Sequence, residues 1–527
     1  MFLSSLTNFI EKTSLKLVDW IENRFDLALV LLVLLAGSLT LVSRIYRIYL
    51  PIADIGGIET NVIYAIQRMM AGLDLYNDPS HPPYSITQYS PLYFMITSSI
   101  GNLLGLEPKE VFSVYKLSRI CSIVFNLFFV GIIYLLGRKQ LGLSKYLGIF
   151  AAVATFILLD NPAFSRPDSL FNFLLVLCLY GLLWYSREQT SKRHKVYISI
   201  ALGVFTAVTI LTKQSGIILI PLIPFIMIVL CYDWKRPLIF LLSWGLAMAV
   251  GFWGISSIGG YDNFIQNAIQ GVNNGLDFGW FWQRIVLPYF FGLKGALMTS
   301  LCLFVAANLW RKQDRKSRIL SYSILIIFVF TLGTCIKKGS SEHYFTELWA
   351  LSLVGLGMIA NLRLSKSLLF LCFLFLFGSE LAYSGITGIV QGAPNMKIDF
   401  SLYESEKEVV DFVLNNIEDD GKGEVNIYIA DQQSTFAKHS FMQNFAFRYA
   451  LFPNRDIVDC CSAPLKIYDY SSFAEMIKQK NINYVIAPLA QGTDLQYLDQ
   501  SLGQLEQIKV INDWAIYKNP APTIPNQ

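Results

Sequence analysis

The chain has 527 residues, 54% of them hydrophobic and only 15% charged. Soluble globular domains carry about 25% charged residues, so this composition argues against a soluble enzyme and for a protein with many bilayer spans. The net charge of +4 says little about partners, because in a membrane protein the placement of Lys and Arg among loops matters more than their sum. Nothing in the composition supports nucleic-acid binding.

Residues 1–26 are amphipathic, with Phe9, Ile10, Leu17 and Trp20 set among Lys12, Lys16 and Arg24. They read as an interfacial helix on the cytoplasmic side rather than a cleavable signal. Apolar runs near the length of a bilayer span follow at 27–49, 113–136, 145–163, 169–186, 196–212, 216–232, 237–258, 286–310, 318–335, 344–361 and 367–389, eleven in all. A twelfth run, Pro91–Leu106, is short and interrupted by Thr97, Ser98, Ser99, Gly101 and Asn102.

Charge decides the twelfth run. If it lies along the external surface, the basic residues Arg138, Lys139, Lys145, those within 187–195, Lys235, Arg236, those within 311–318, Arg363 and Lys366 all fall inside, as the positive-inside rule requires. If it crosses the bilayer, all of them move outside. The first reading divides the chain into an interfacial helix (1–26), a transmembrane module (27–394) whose first external loop is 50–112, and an external soluble α/β domain (395–527). In that last part a helix is expected at 404–417, a strand at 424–430, a helix at 472–479, and strands near 483–487 and 514–518.

Polar residues of chemical interest then collect at the external face. After the first run come Asp54 and Glu59, and the segment from Glu59 can form a helix that Gly72 caps. A carboxylate at a membrane boundary is costly unless it faces water or a partner. Tyr89 opens the segment YSPLY. Arg119 lies about two turns into the second span, where a cation is a functional candidate by default and snorkelling is the plain alternative. Asp168 follows Arg166 and Pro167 at the start of the fourth span, a position that also suits an acidic residue for its interaction with the helix dipole. Lys213 lies between the fifth and sixth spans. The stretch from Lys337 adds Lys338, His343 and Glu347; lysines and aromatics there also suit interfacial anchoring. The cysteines fall mainly in apolar runs and form no disulfide framework or zinc spacing. No Walker loop or strand-glycine-helix fingerprint provides a nucleotide cradle.

The order E-x12-G-x3-Y from Glu59, the YSPLY segment, Arg-Pro-Asp before an apolar helix, and the segment Gly339–Trp349 resembles that of GT-C membrane glycosyltransferases, the superfamily of protein O-mannosyltransferases and aminoarabinose lipid A transferases. The resemblance implies a polytopic α-helical membrane protein of eleven transmembrane helices with a small C-terminal external α/β domain, in a plasma membrane. It implies an inverting transfer of a hexose or pentose from a polyprenyl-phosphate donor to an acceptor hydroxyl on a lipid, glycan or protein. Glu59, or else Asp54, would be the general base, with Asp168 as a third catalytic carboxylate that orients the acceptor or holds a divalent cation. Arg119, Lys213, Lys337, Lys338, His343, Glu347 and Tyr89 would bind substrate. A divalent cation, Mg or Mn, stays open, since some members of the superfamily use one and others do not. Several members carry adjacent Asp-Glu in the first loop, whereas here IGGI separates Asp54 from Glu59. The competing readings are a lipid-linked sugar flippase or transporter and a non-catalytic subunit that keeps the fold.

The topology has a direct test. External thiol reagents are expected to label a cysteine introduced at Ser80 or Ser401 and to spare one at Ser191; labelling at Ser191 alone would invert the assignment.

Overall fold

A computed structural model describes residues 27, 30–46, 48–49, 58–78, 87–108, 110–159, 165–271, 275–337, 340, 342–359, 401–416, 425–429, 449–451, 484–489, 505–512 and 514–520. The expected interfacial helix 1–26, the run 367–389 and the helix 472–479 lie outside the described residues.

The first helix, α1, is Val30–Tyr46. There follow α2 (Ile58–Met70), α3 (Leu92–Leu103), α4 (Val111–Leu135), α5 (Lys145–Leu158), α6 (Asp168–Tyr185), α7 (Lys192–Thr212), α8 (Leu219–Val229) and α9 (Arg236–Ile255). The short turns α10 (Gly260–Phe264) and α11 (Phe278–Phe281) lead to α12 (Leu293–Arg311), α13 (Arg315–Cys335), α14 (Thr346–Ile359) and α15 (Ser401–Asn416). Five described helices are long and apolar enough to cross a membrane, and five shorter apolar helices lie on other expected runs. At 12 residues, α3 is about 18 Å long, too short for a core of about 30 Å. It instead packs beside α2 and against α4, burying Tyr93 and Phe94.

Two apolar cores result. The larger joins α1, α4–α8 and α12–α14; the smaller holds α2 and α3 against one half of α4, the start of α6, Ile255 and Phe264. Gly72 closes α2 with φ +73°, and Leu73 N–H reaches back to the Arg68 carbonyl at 2.9 Å. Glycine adopts that backbone without steric cost. The expected run 286–310 is not one uniform helix: residues Trp282–Phe291 wind more loosely than an α-helix around Pro288, and α12 begins only after extended Gly292. Proline's missing N–H and ring bulk account for the loosened turns.

At one end of the bundle the connecting loops are tied together. Arg187 Nε donates to Gln140 Oε1 at 2.9 Å, the Tyr185 hydroxyl donates to Asp233 Oδ2 at 2.7 Å, and Arg315 donates to the Ser186 carbonyl at 3.3 Å. Arg236 pairs with Asp233 at 2.9 Å. Basic residues from three loops therefore share one end of the molecule.

Toward the C-terminus, strands β1 (Val425–Ile429), β2 (Tyr449–Leu451), β3 (Tyr484–Pro488), β4 (Glu506–Ile511) and β5 (Trp514–Lys518) form a sheet of order β2-β1-β3-β5-β4. The β2-β1-β3 part is parallel, and β5 runs antiparallel to both β3 and β4. Helix α15 contacts β4, with Lys509 Nζ 5.9 Å from the Phe412 ring centroid.

At the α7–α9 contact a glycine lets two helices approach closely. A Cβ on Gly203 would collide with Ser243 Oγ and stand 2.5 Å from the Phe240 carbonyl oxygen. Gly203→Ala is expected to force the helices apart at a cost of about 1–3 kcal/mol, read as a lower unfolding temperature in detergent. An unchanged temperature would show that the contact yields freely.

Candidate functional site

Glu59 stands in the first turn of α2 and Arg119 about two turns into α4, and both side chains are fully buried. Arg119 Nε donates to Glu59 Oε1 at 2.9 Å and Nη2 to Oε2 at 3.0 Å, a fork-to-fork pairing. The Ser165 hydroxyl adds a bond to Oε1 at 3.0 Å and its backbone N–H another at 3.3 Å. Around the pair, the Tyr93 hydroxyl lies 3.0 Å from Ser118 Oγ and 2.8 Å from Ser122 Oγ, and Arg166 N–H donates to Ser122 Oγ at 3.4 Å. The Arg119 guanidinium also sits 5.0 Å from the Tyr115 ring centroid. Isolated charges in such a place would cost several kcal/mol each; here each group finds its partners in the other and in the Ser165 donors. The network joins α2, α3, α4 and the turn before α6.

The turn that begins at Ser165 leads to a second cluster. Asp168, first residue of α6, receives Lys213 Nζ on Oδ1 at 2.6 Å and faces Arg166 Nε from Oδ2 at 3.2 Å. Burial works against the charge on Lys213, but the Asp168 carboxylate outweighs it and holds the amine protonated well above its ordinary range. Arg166 behaves likewise: burial opposes its charge, and Asp168 with the nearby Tyr89 oxygen favours it. The Lys213 ammonium lies 4.5 Å from the Tyr344 ring centroid and 5.5 Å from that of Phe171, so aromatic faces replace part of its lost water.

Glu347, in the first turn of α14, is buried beside this cluster. With the Asn172 amide turned so that its nitrogen faces acceptors, it donates to Glu347 Oε1 at 2.9 Å and to the Asp168 carbonyl at 3.2 Å. The segment bearing Tyr89 is pinned from two sides. Gln214 Nε2, next to Lys213, donates to the Gln88 carbonyl at 3.1 Å and the Ala268 carbonyl at 2.7 Å. Asn267 Oδ1 accepts from Thr87 N–H at 2.8 Å.

Of the residues expected from sequence, Asp168, Lys213, Tyr89 and Glu347 thus come together, and Glu59 and Arg119 form an adjoining pair. In this arrangement Arg119 is committed to Glu59 rather than presented to a ligand. Lys337 lies beyond α13, where it bridges in antiparallel fashion to Leu276, and Asp277 N–H donates to the Ile336 carbonyl at 3.0 Å. Asp54 and Lys338 lie outside the described residues, as does the side chain of His343, whose backbone forms part of the short turn Glu342–Phe345. Sequence reasoning passes over Ser165, Asn172 and Tyr344, and reads Arg166 only as part of its triplet. Asn172 carries a usable signal, because a position four after Asp168 returns to the same helix face.

A divalent cation at Asp168 fits this geometry poorly, since a carboxylate already facing two cations would bring a third positive charge between them. Among the described residues no three His, Cys, Asp or Glu side chains converge as a metal site.

The Glu59–Arg119 pair makes a thermodynamic prediction. Glu59→Gln and Arg119→Gln, each leaving one buried charge uncompensated, are expected to cost roughly 3–5 kcal/mol apiece, whereas the double variant should cost well under the sum. Unfolding measured on all four proteins checks this; additive effects would mean that the two groups are not coupled.

By sequence the chain matches no protein-family model and no curated protein. By structure it is similar to ArnT from Cupriavidus metallidurans bound to undecaprenyl phosphate, with TM-score 0.58, 14% identity, and coverage of 93% of this chain and 98% of that one. It is also similar to the Archaeoglobus fulgidus oligosaccharyltransferase in complex with Zn and sulfate, with TM-score 0.58, 13% identity, and coverage of 92% and 73%. A third similarity is to the arabinofuranosyltransferase AftD from Mycobacteria, with TM-score 0.55, 13% identity, and coverage of 93% of this chain but 40% of that one. At such identities the likeness is one of architecture alone, and it is consistent across all three: the chain shares its fold with these proteins.

Proposed function

We propose that this protein is an integral membrane glycosyltransferase that moves a sugar from a polyprenyl-phosphate donor to an acceptor hydroxyl, with inversion, at the external face of a plasma membrane. The observation that carries the reading is the buried polar centre formed by Asp168, Lys213, Glu347 and Tyr89 beside Glu59 and Arg119, set in a GT-C fold. Two of the similar structures hold undecaprenyl phosphate and dolichol-phosphate, which supports a lipid phosphate as the donor's leaving group. Tying the basic loops together at one end supports a cytoplasmic assignment for that end and an external one for the site.

In this reaction the acceptor oxygen attacks the anomeric carbon from the face opposite the phosphate. The new C–O bond forms as the old one breaks, and the bonding electrons leave with the lipid phosphate. A carboxylate takes the acceptor proton. Glu59 has both oxygens engaged by Arg119 and no exposed surface, so we assign the base to Asp54, just upstream of the helix that Glu59 anchors. Lys213 then offsets the charge that develops on the departing phosphate. In the empty protein Lys213 is held in place by Asp168 and by the ring of Tyr344. The site faces away from the expected cytoplasmic end and the sequence offers no nucleotide cradle, so a soluble nucleotide sugar is not the donor.

Reconstituted protein should therefore transfer sugar from a polyprenyl-phosphate donor and not from a nucleotide sugar. Asp54→Asn should lower turnover by roughly two to four orders of magnitude without changing the unfolding temperature. Transfer from a nucleotide sugar without lipid, or movement of lipid across the bilayer without transfer, would overturn the proposal.

A further inference from the structure

The environment of Arg166 adds a residue to the site and a role for Asp168; both rest on the lipid-phosphate reading above. One cation meets each oxygen of the Asp168 carboxylate, Lys213 Nζ at 2.6 Å and Arg166 Nε at 3.2 Å, so the carboxylate bridges two positive groups. The exposures are ordered: the side chains of Arg166 and Lys213 are 5% and 6% exposed, whereas Asp168 is 15% exposed. Asp168 is thus the least buried of the three, although the oxygen that faces Arg166 is itself buried. Among the described residues Glu347 lies within ion-pair distance of neither cation and faces the Asn172 amide instead.

We propose that Arg166 and Lys213 form a two-cation receptor for the phosphate of a lipid-linked donor, and that Asp168 is an internal stand-in which the phosphate displaces. A phosphodiester presents two terminal oxygens in a geometry close to that of a carboxylate. Guanidinium and ammonium both bind such oxygens, the first through a directional fork and the second as a compact charge. Both cations are held by contacts of their own. Arg166 is fixed through its own N–H to Ser122 Oγ at 3.4 Å and through its carbonyl, which accepts from Ser169 Oγ at 3.1 Å. Lys213 lies against the rings of Tyr344 and Phe171. The anion also sits at the start of the 18-residue helix α6, whose dipole favours negative charge whether it comes from Asp168 or from phosphate. When a donor arrives, the short Asp168 side chain turns toward solvent and the two cations exchange one anion for another. The arrangement keeps two buried cations compensated in the empty protein.

Binding of long-chain polyprenyl phosphate to the purified protein in nanodiscs tests this without requiring turnover. Asp168→Asn removes the internal competitor, so the affinity should rise about tenfold if the parent receptor is open one time in ten. Asp168→Ser, which removes the carboxylate by a different substitution, should do the same and guards against a folding defect in the first variant. Arg166→Met and Lys213→Met should each weaken binding at least about tenfold through loss of a charged hydrogen bond, and Lys213→Arg should retain it. Inorganic phosphate should compete, and polyprenol lacking phosphate should bind equally weakly to every variant. Unchanged or weaker phosphate-lipid binding in both Asp168 variants, with transfer lost, would overturn the proposal and return Asp168 to an acceptor role while leaving the donor class intact. If the parent protein bound polyprenyl phosphate no better than polyprenol, the donor class itself would fail.

Discussion

Removing a carboxylate and a guanidinium from water is tolerable only when each compensates the other in full, and the pairing of Glu59 with Arg119 meets that requirement with two bonds of 2.9 and 3.0 Å. The remaining acceptor capacity of Glu59 draws in Ser165, and with Ser165 comes the turn that carries Arg166 and Asp168. The same carboxylate is anchored in the first turn of α2, so the start of that helix is held at the site by the same bond. One buried ion pair therefore fixes three pieces of chain that are distant in sequence. A buried pair of this kind adds little net stability; what it supplies here is register between the first loop and the helix ends.

From that point the molecule divides its charges by position. At one end, Asp168, Lys213, Arg166 and Glu347 gather among the rings of Tyr89, Tyr344 and Phe171. At the other, Arg187, Arg236 and Arg315 tie loops together through Gln140, Asp233 and Ser186. Apolar side chains of α4–α8 and α12–α14 fill the space between. Such a distribution suits chemistry confined to one membrane face more than passage through the midplane, where carboxylates would be expected within the spans.

The helices are legible in the sequence because an apolar run of bilayer length rarely arises outside a membrane span, and α3 is legible as a short helix because its serines and glycine interrupt too short a run. The partnership of Glu59 with Arg119 is not legible. Sixty residues separate them, and nothing local distinguishes a carboxylate bound by a guanidinium from one offered to a substrate. For that reason Glu59 is the favoured base on sequence, and its pairing with Arg119 is what the proposed assignment to Asp54 rests on. Arg166 is hidden for a similar reason, since a basic residue before proline at a membrane edge has the ordinary duty of meeting headgroups. The strand β4 escapes sequence reading because only Ile511 among Glu506–Ile511 is buried, which leaves little alternation to detect. At three residues, β2 is too short to show a period. Pro288 and Gly292 do mark where the expected run 286–310 breaks, but helical continuity in lipid commonly survives such residues.

The most direct measurement is a structure of the protein in lipid with polyprenyl phosphate bound. The account predicts phosphate density against Arg166 and Lys213, with Asp168 turned away and Glu59 still paired with Arg119. Phosphate held by Arg119 with Glu59 released, or located at the end occupied by Arg187 and Arg236, would contradict it.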